Sequence, residues 1–154
     1  MSDKIYYSKP TITKDEINVI LDAAKNGWGE KCYDYLFKFE NVFRKYIGVN
    51  YAIATSSCTG AMHMGLYALG IKRGDEVILA DTNWIATVSP IVHLGAKPVF
   101  VDINPKTWCI DPLEVEKKIN KKTKAIIPVH ISGRSAEMDK IMKIAKKRNI
   151  HVVE

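Results

Sequence analysis

From Tyr51 onward the sequence predicts an α/β fold, a mainly parallel sheet with helices on both faces. Three observations predict it. Short apolar runs alternate strictly with segments of helical period. The runs read as continuously apolar, as strands covered on both faces do. Glycine-containing breaks, Gly74-Asp75 and Gly95-Ala96, separate several of the segments. Helical crossovers between such strands build a parallel sheet.

The expected strands are residues 51–55, 76–80, 98–103, 124–129 and 151–154. The expected helices between them are residues 58–69, 84–94, 112–120 and 136–148. Asp111 and Ser135 are suited to cap the last two, and Pro112 to the first helical position. Pro90 falls inside a helical pattern, so a kink or an early end is expected there.

The first fifty residues read differently, as a helical arm packed on or extending from the α/β core. Thr13-Lys14-Asp15-Glu16 has the form of a capping box before a helix over 17–25, with Ile17, Ile20, Leu21 and Ala24 as its apolar stripe. Asn26-Gly27-Trp28-Gly29 ends it in a turn. A second helix is expected over 33–46, with Leu36, Phe39, Val42, Phe43 and Tyr46 at helical spacing and Gly48 closing it. Residues 1–50 and 51–154 are therefore read as an arm and an α/β domain. An apolar strand at 150–154 without a loop and covering helix after it would leave an edge exposed. The α/β domain is accordingly expected to be incomplete, the front part of a larger protein.

Composition bounds the function. The 154 residues are 47% hydrophobic and 26% charged, as in a globular protein with a real core. No apolar run is long enough to span a membrane, and Met1-Ser2-Asp3-Lys4-Ile5-Tyr6-Tyr7 has no apolar leader core. A cytoplasmic location without membrane attachment is expected. The net charge is +6. Much of the excess is on Lys117, Lys118, Lys121, Lys122, Lys124, Lys140, Lys143, Lys146, Lys147 and Arg148, at the outer faces or ends of two expected helices. No basic run is interleaved with aromatics, so this is read as a solvated surface and nucleic acid is not an expected partner. Cys32, Cys58 and Cys109 are far apart and form neither a metal spacing nor a disulfide framework. No metal site is expected. Cys58 is read as a small packing residue at a helix start, where a thiol could also be activated. No Gly-x-Gly-x-x-Gly follows a strand, and there is no Walker A motif and no Gly-x-Ser-x-Gly elbow.

The stretch 51–63 is the most informative. An apolar run leads into Ser56, Ser57, Cys58, Thr59 and Gly60 at the start of a helix. Free backbone N–H groups and hydroxyls at such a start can hold a phosphate, and the carboxyl ends of parallel strands are where α/β proteins bind ligands. Ser and Thr are also ordinary helix caps. Trp84, after the second core run, is suited either to stack on a flat heterocycle or to staple a helix start to the core. His63 and His93 are read as packing or hydrogen-bonding residues. His130, at a strand's end, is open between a structural hydrogen bond and a place at the site.

Five segments together carry a specific resemblance: Thr-Ser-Ser-Cys-Thr-Gly-Ala-Met-His (55–63), Gly-Asp-Glu-Val-Ile (74–78), Gly-Ala-Lys-Pro-Val-Phe-Val-Asp (95–102), Thr-Lys-Ala-Ile-Ile-Pro-Val-His (123–130) and the terminal Val-Val-Glu. In order and spacing the chain resembles the N-terminal part of the DegT/DnrJ/EryC1/StrS family. Ser8-Lys9-Pro10 and Gly27-Trp28-Gly29 are similar to the family as well. The resemblance implies the front part of the large domain of the type I aminotransferase fold. It implies pyridoxal 5'-phosphate as cofactor, and transfer of an amino group from glutamate to a nucleotide-linked keto-sugar for polysaccharide or related sugar synthesis. It also implies a homodimer with a shared site.

Under this resemblance Thr59 and Gly60 hold the cofactor phosphate, and Ser57 and Cys58 shape the loop. Trp84 stacks on the pyridine ring, and His130 lies at the rim below it. Gly27 and Trp28 approach the sugar nucleotide or the partner subunit. The family's aspartate for the pyridine nitrogen and its Schiff-base lysine would follow Val-Val-Glu and are not among these residues, so no catalytic residue is assigned. A histidine in place of that lysine would make the protein a deoxysugar dehydratase. A truncated, non-catalytic or partner-binding remnant is the other alternative.

Overall fold

The computed structural model describes residues 8–154, so the expectation that residues 1–7 form no apolar leader core lies outside the described residues. Contacts divide the chain into two units, Met1–Ala54 and Thr55–Glu154.

The first unit is helical. α1 spans Lys14–Asn26, and its capping box forms as the sequence predicts, with the Thr13 hydroxyl accepting from the Asp15 N–H and the Glu16 carboxylate accepting from the Thr13 N–H. Its start is three residues earlier than expected because Thr13 itself is the cap. Gly27 ends it; a Cβ there would stand 2.6 Å from the Ala23 carbonyl oxygen. A 3-10 turn, Gly29–Lys31, leads to α2, Asp34–Ile47, which Gly48 closes in the left-handed region at φ 77°. Neither α1 nor α2 has a buried residue.

The second unit is the doubly wound part. Its order is α3 (Cys58–Ala68), β1 (Glu76–Ala80), α4 (Ile85–His93), β2 (Lys97–Val101), α5 (Pro112–Lys118), β3 (Thr123–Ile127), α6 (Met138–Arg148) and β4 (His151–Val152). The four strands are parallel in the order β2-β1-β3-β4. All five residues of β1 are buried, as a central strand covered on both faces must be. Successive side chains alternate between the faces. Val77 and Leu79 join Leu66 and Ile91 in one cluster, and Ile78 and Ala80 join Val115, Ile141 and Ala145 in the other. Thus α3 and α4 cover one face and α5 and α6 the other.

Four expectations are corrected. Residues 51–55 form no strand; no described strand lies beside them, and the Ala54 N–H is taken by the Glu40 carboxylate at 2.8 Å. The strand expected over 98–103 ends at Val101, because the Asp102 carboxylate accepts from the Ile103 N–H at 2.9 Å and Ile103 bridges to Ile110 instead. Ser135 does not cap α6. Its hydroxyl donates to the Ala136 carbonyl, and the cap position is Glu137. Of the kink and the early end expected at Pro90, the early end does not occur: α4 continues past it to His93. Asp111 and Pro112 sit at the cap and first position of α5 as expected, with the Asp111 carboxylate accepting from the Leu113 N–H at 2.8 Å. No described helix is long and apolar enough to cross a membrane.

Candidate functional site

Because all four strands are parallel, their carboxyl ends share one edge of the sheet. The segments leaving it are Asp81-Thr82-Asn83-Trp84 after β1, the loop from Asp102 after β2, Pro128-Val129-His130 after β3, and Val153-Glu154 after β4. α3 precedes β1 through a short connection and packs Met62 and Leu66 on it. Its 11 residues rise about 16 Å, close to the length of the five-residue strand. A helix that returns along the strand brings its N-terminus to the carboxyl edge.

That N-terminus presents free hydrogen-bond donors. Ser57 is the cap, and its hydroxyl accepts from the Gly60 N–H at 3.1 Å. The Ala61 N–H goes to the Ser57 carbonyl. The N–H groups of Cys58 and Thr59 have no hydrogen-bond partner among the described residues. Thr55 Oγ1 donates to the Ser57 carbonyl at 2.9 Å, which fixes the turn before the helix. A Cβ on Gly60 would stand a tight 3.3 Å from Ser57 Oγ and in ordinary contact at 3.9 Å from Ser56 Oγ, so the glycine leaves room at the Ser57 hydroxyl. Cys58 is exposed, which removes the packing role expected for it. Unfilled N–H groups, two serine hydroxyls and a glycine suit a phosphate group.

Trp84 is the cap residue of α4 rather than its first residue, and it is 77% exposed. It therefore does not staple the helix to the core, and its ring faces solvent. The device that starts α4 is Asn83, whose Oδ1 accepts from the Trp84 N–H at 2.7 Å and from Thr87 Oγ1 at 3.1 Å. Asn83 Nδ2 is a buried donor without a partner, an arrangement that costs about 1–3 kcal/mol unless an acceptor meets it. Asn83 was not singled out from sequence. An Asn before a helical period was the available signal.

His130 uses both ring nitrogens. Nδ1 accepts from the Ala136 N–H at 3.0 Å, and Nε2 lies 3.0 Å from Glu154 Oε2. Glu154 is a second residue the sequence did not single out. His63 and His93 form a tilted ring pair between α3 and α4 with centroids 6.2 Å apart. Among the described residues there is no His, Cys, Asp and Glu group that could hold a metal.

Gly27 and Trp28 belong to the first unit. Trp28 Nε1 donates to the Ala24 carbonyl at 2.7 Å, closing the end of α1. Gly27 lines an open cleft of about 340 Å³ with Asp22, Asn26, Lys31, Asp34, Tyr35 and Lys38. Asp22 accepts from the Tyr35 hydroxyl and from Asn26 Nδ2, and these bonds hold its carboxyl below the ordinary value of 3.8.

Residues 10–154 match the DegT/DnrJ/EryC1/StrS aminotransferase family. The chain belongs to that family. Among its relatives, an uncharacterized protein of Methanocaldococcus jannaschii is 46% identical over 149 residues, covering 95% of this chain and 38% of the relative. The GDP-perosamine synthase of Escherichia coli O157:H7 is 40% identical over 146 residues, covering 95% and 40%. The crystal structure of NtdA from Bacillus subtilis with bound cofactor PMP superposes with a TM-score of 0.82 at 36% identity, covering 99% of this chain and 37% of that one. The family fold is thus the type I aminotransferase fold, as the resemblance implies. The chain spans about 37–40% of the length of these relatives.

Proposed function

We propose that the protein is a pyridoxal-phosphate-dependent aminotransferase that moves an amino group from glutamate to a nucleotide-linked keto-sugar. The observation that carries this proposal is the cradle at the start of α3. There the Cys58 and Thr59 N–H groups stand unfilled beside the Ser57 and Ser56 hydroxyls, and a Gly60 side chain would crowd that space. In this reading Ser57, Cys58, Thr59 and Gly60 bind the cofactor phosphate by backbone N–H and hydroxyl donation, helped by the positive end of the helix dipole. Trp84, exposed at the carboxyl edge, covers one face of the ring and limits its tilt. The pyridine ring, when bound, supplies the electron sink for amino transfer. His130, already hydrogen-bonded through both nitrogens, contributes from the rim. Gly27 and Trp28 belong to the sugar-nucleotide side or to the face of a second copy in a homodimer. A relative named GDP-perosamine synthase supports a nucleotide-linked sugar as acceptor. A relative named spore coat polysaccharide biosynthesis protein SpsC, 39% identical over 148 residues, supports a polysaccharide product.

The test is release of 2-oxoglutarate from glutamate by the purified protein, with and without pyridoxal phosphate and a nucleotide-linked keto-sugar. Release of up to one equivalent per cofactor with pyridoxal phosphate alone, and of further equivalents only when the keto-sugar is added, supports the proposal. A protein that carries the Schiff-base lysine and binds the phosphate but never releases 2-oxoglutarate is not an aminotransferase.

A further inference from the structure

We infer that His130 is held as its Nε2–H tautomer and acts as a positioning residue, fixing the Glu154 carboxylate at the end of β4. A neutral imidazole has one N–H donor and one acceptor nitrogen. The Ala136 N–H points at Nδ1 from 3.0 Å, so Nδ1 accepts. The ring proton is then on Nε2, 3.0 Å from Glu154 Oε2, and donates to the carboxylate. The other tautomer would set an N–H against the Ala136 N–H and face the carboxylate with a lone pair. Orientation of one ring nitrogen by a bond to the other is a general way of fixing a histidine's role.

The loop carrying His130 is itself tied down. Ser132 at φ 51° and Gly133 at φ 79° make a two-residue turn closed by the Arg134 N–H on the Ile131 carbonyl at 2.9 Å. Both central residues have positive φ, as a type I′ turn requires. Arg134 Nη1 donates to the Lys106 carbonyl at 2.8 Å, and Cys109 Sγ donates to the Arg134 carbonyl at 3.3 Å. These bonds join the loop after β3 to the loop after β2. His130 joins it to the end of β4. The ties therefore run across the carboxyl edge on both sides of β1, whose own loop carries Asn83 and Trp84. The Val153 N–H on the Ile126 carbonyl continues the pairing of β4 with β3 beyond Val152. A side-chain anchor at Glu154 ties the end of β4 to the loop after β3.

The tautomer is read directly from one- and two-bond ¹H–¹⁵N correlations of the protein labelled at histidine. A protonated Nε2 and an unprotonated Nδ1 are expected for His130. A protonated Nδ1, or averaged shifts, overturns the inference. The positioning role is tested by hydrogen exchange at Val153. His130→Asn keeps an acceptor near the Ala136 N–H but withdraws the donor from Glu154, and Glu154→Ala removes the acceptor. Each speeds Val153 exchange about tenfold, the loss expected for one charge-assisted hydrogen bond. Glu154→Gln, which keeps an acceptor oxygen but not its charge, falls between the parent and Glu154→Ala. Unchanged exchange in both His130→Asn and Glu154→Ala overturns the role. The effect on turnover, a lower kcat with KM unchanged, rests on the aminotransferase reading. If the parent shows no turnover, that reading fails while the tautomer and exchange results still decide this one.

Discussion

The two units use the same helical code and reach opposite ends. α6 in the second unit and α1 and α2 in the first are all amphipathic. Ile141 and Ala145 of α6 are buried against the sheet. The matching stripe of α1 and α2 (Ile17, Ile20, Leu21, Leu36, Phe39, Val42, Phe43) is exposed. The difference lies in what each stripe meets. Four parallel strands give α3 to α6 two apolar faces to cover. α1 and α2 have no sheet of their own, and polar ties such as Tyr35 to Asp22 join them. Periodicity announces a face that wants burial. It does not say whether this stretch of chain contains the covering surface.

The largest expected contrast is in core truncation. Leu66→Ala removes a fully buried side chain and is expected to cost about 2–5 kcal/mol. Leu21→Ala, half exposed, should cost under about 1 kcal/mol. Denaturant unfolding of both variants of the protein measures the contrast. Equal losses would mean that the α1 stripe is buried in solution, and would break the comparison.

Helix caps should act alike in both units. Thr13→Ala in the first and Asp111→Ala in the second each remove a side-chain acceptor from a helix start, at a cost of about 1 kcal/mol. Hydrogen exchange sharpens the comparison by its spread. The Thr13→Ala effect should stay within α1, whereas the Asp111→Ala effect should reach β2 and α6 through the Val115 core.

The smallest expected effect is acid sensitivity confined to the first unit. The Tyr35 hydroxyl and Asn26 hold the Asp22 carboxyl below 3.8, and the Thr13 hydroxyl and N–H hold Glu16 below 4.5. A depressed folded pKa gives stability that is present above the unfolded value and lost as pH falls through the folded one. α1 is therefore expected to loosen as pH falls below about 4, before the sheet does. Carboxyl ¹³C titration checks it. Tyr35→Phe should move the Asp22 midpoint upward, and an unmoved midpoint would remove the tie.

Most of the second unit was legible in the sequence, because its strands and crossovers alternate in period and its cap residues are specific. What was not legible depends on neighbours. Residues 51–55 carry a strand-like apolar run, yet a ladder needs an adjacent strand and none is described there. Ser135 is a good cap type, but its hydroxyl donates to the Ala136 carbonyl, and the Met138 N–H that it would have accepted from goes to that same carbonyl. The start of α3 at Ser57–Gly60, with Ser57 as its cap, was readable because a helix start is a local event. Asn83 and Glu154 were not, since their roles appear only when chain turns meet: Asn83 at the start of α4, and Glu154 across 24 residues from His130.

The central claim is that the start of α3 binds the cofactor through its phosphate. Calorimetric titration of the purified protein with pyridoxamine phosphate and with pyridoxamine tests it most directly, because neither probe carries an aldehyde that could react with surface lysines. Pyridoxamine phosphate should bind at least about tenfold tighter, the worth of one charge-assisted hydrogen bond. Gly60→Ala should erase most of that preference while leaving folding intact, since alanine favours a helix. Equal binding of the two probes, or a preference unaffected by Gly60→Ala, would contradict the account.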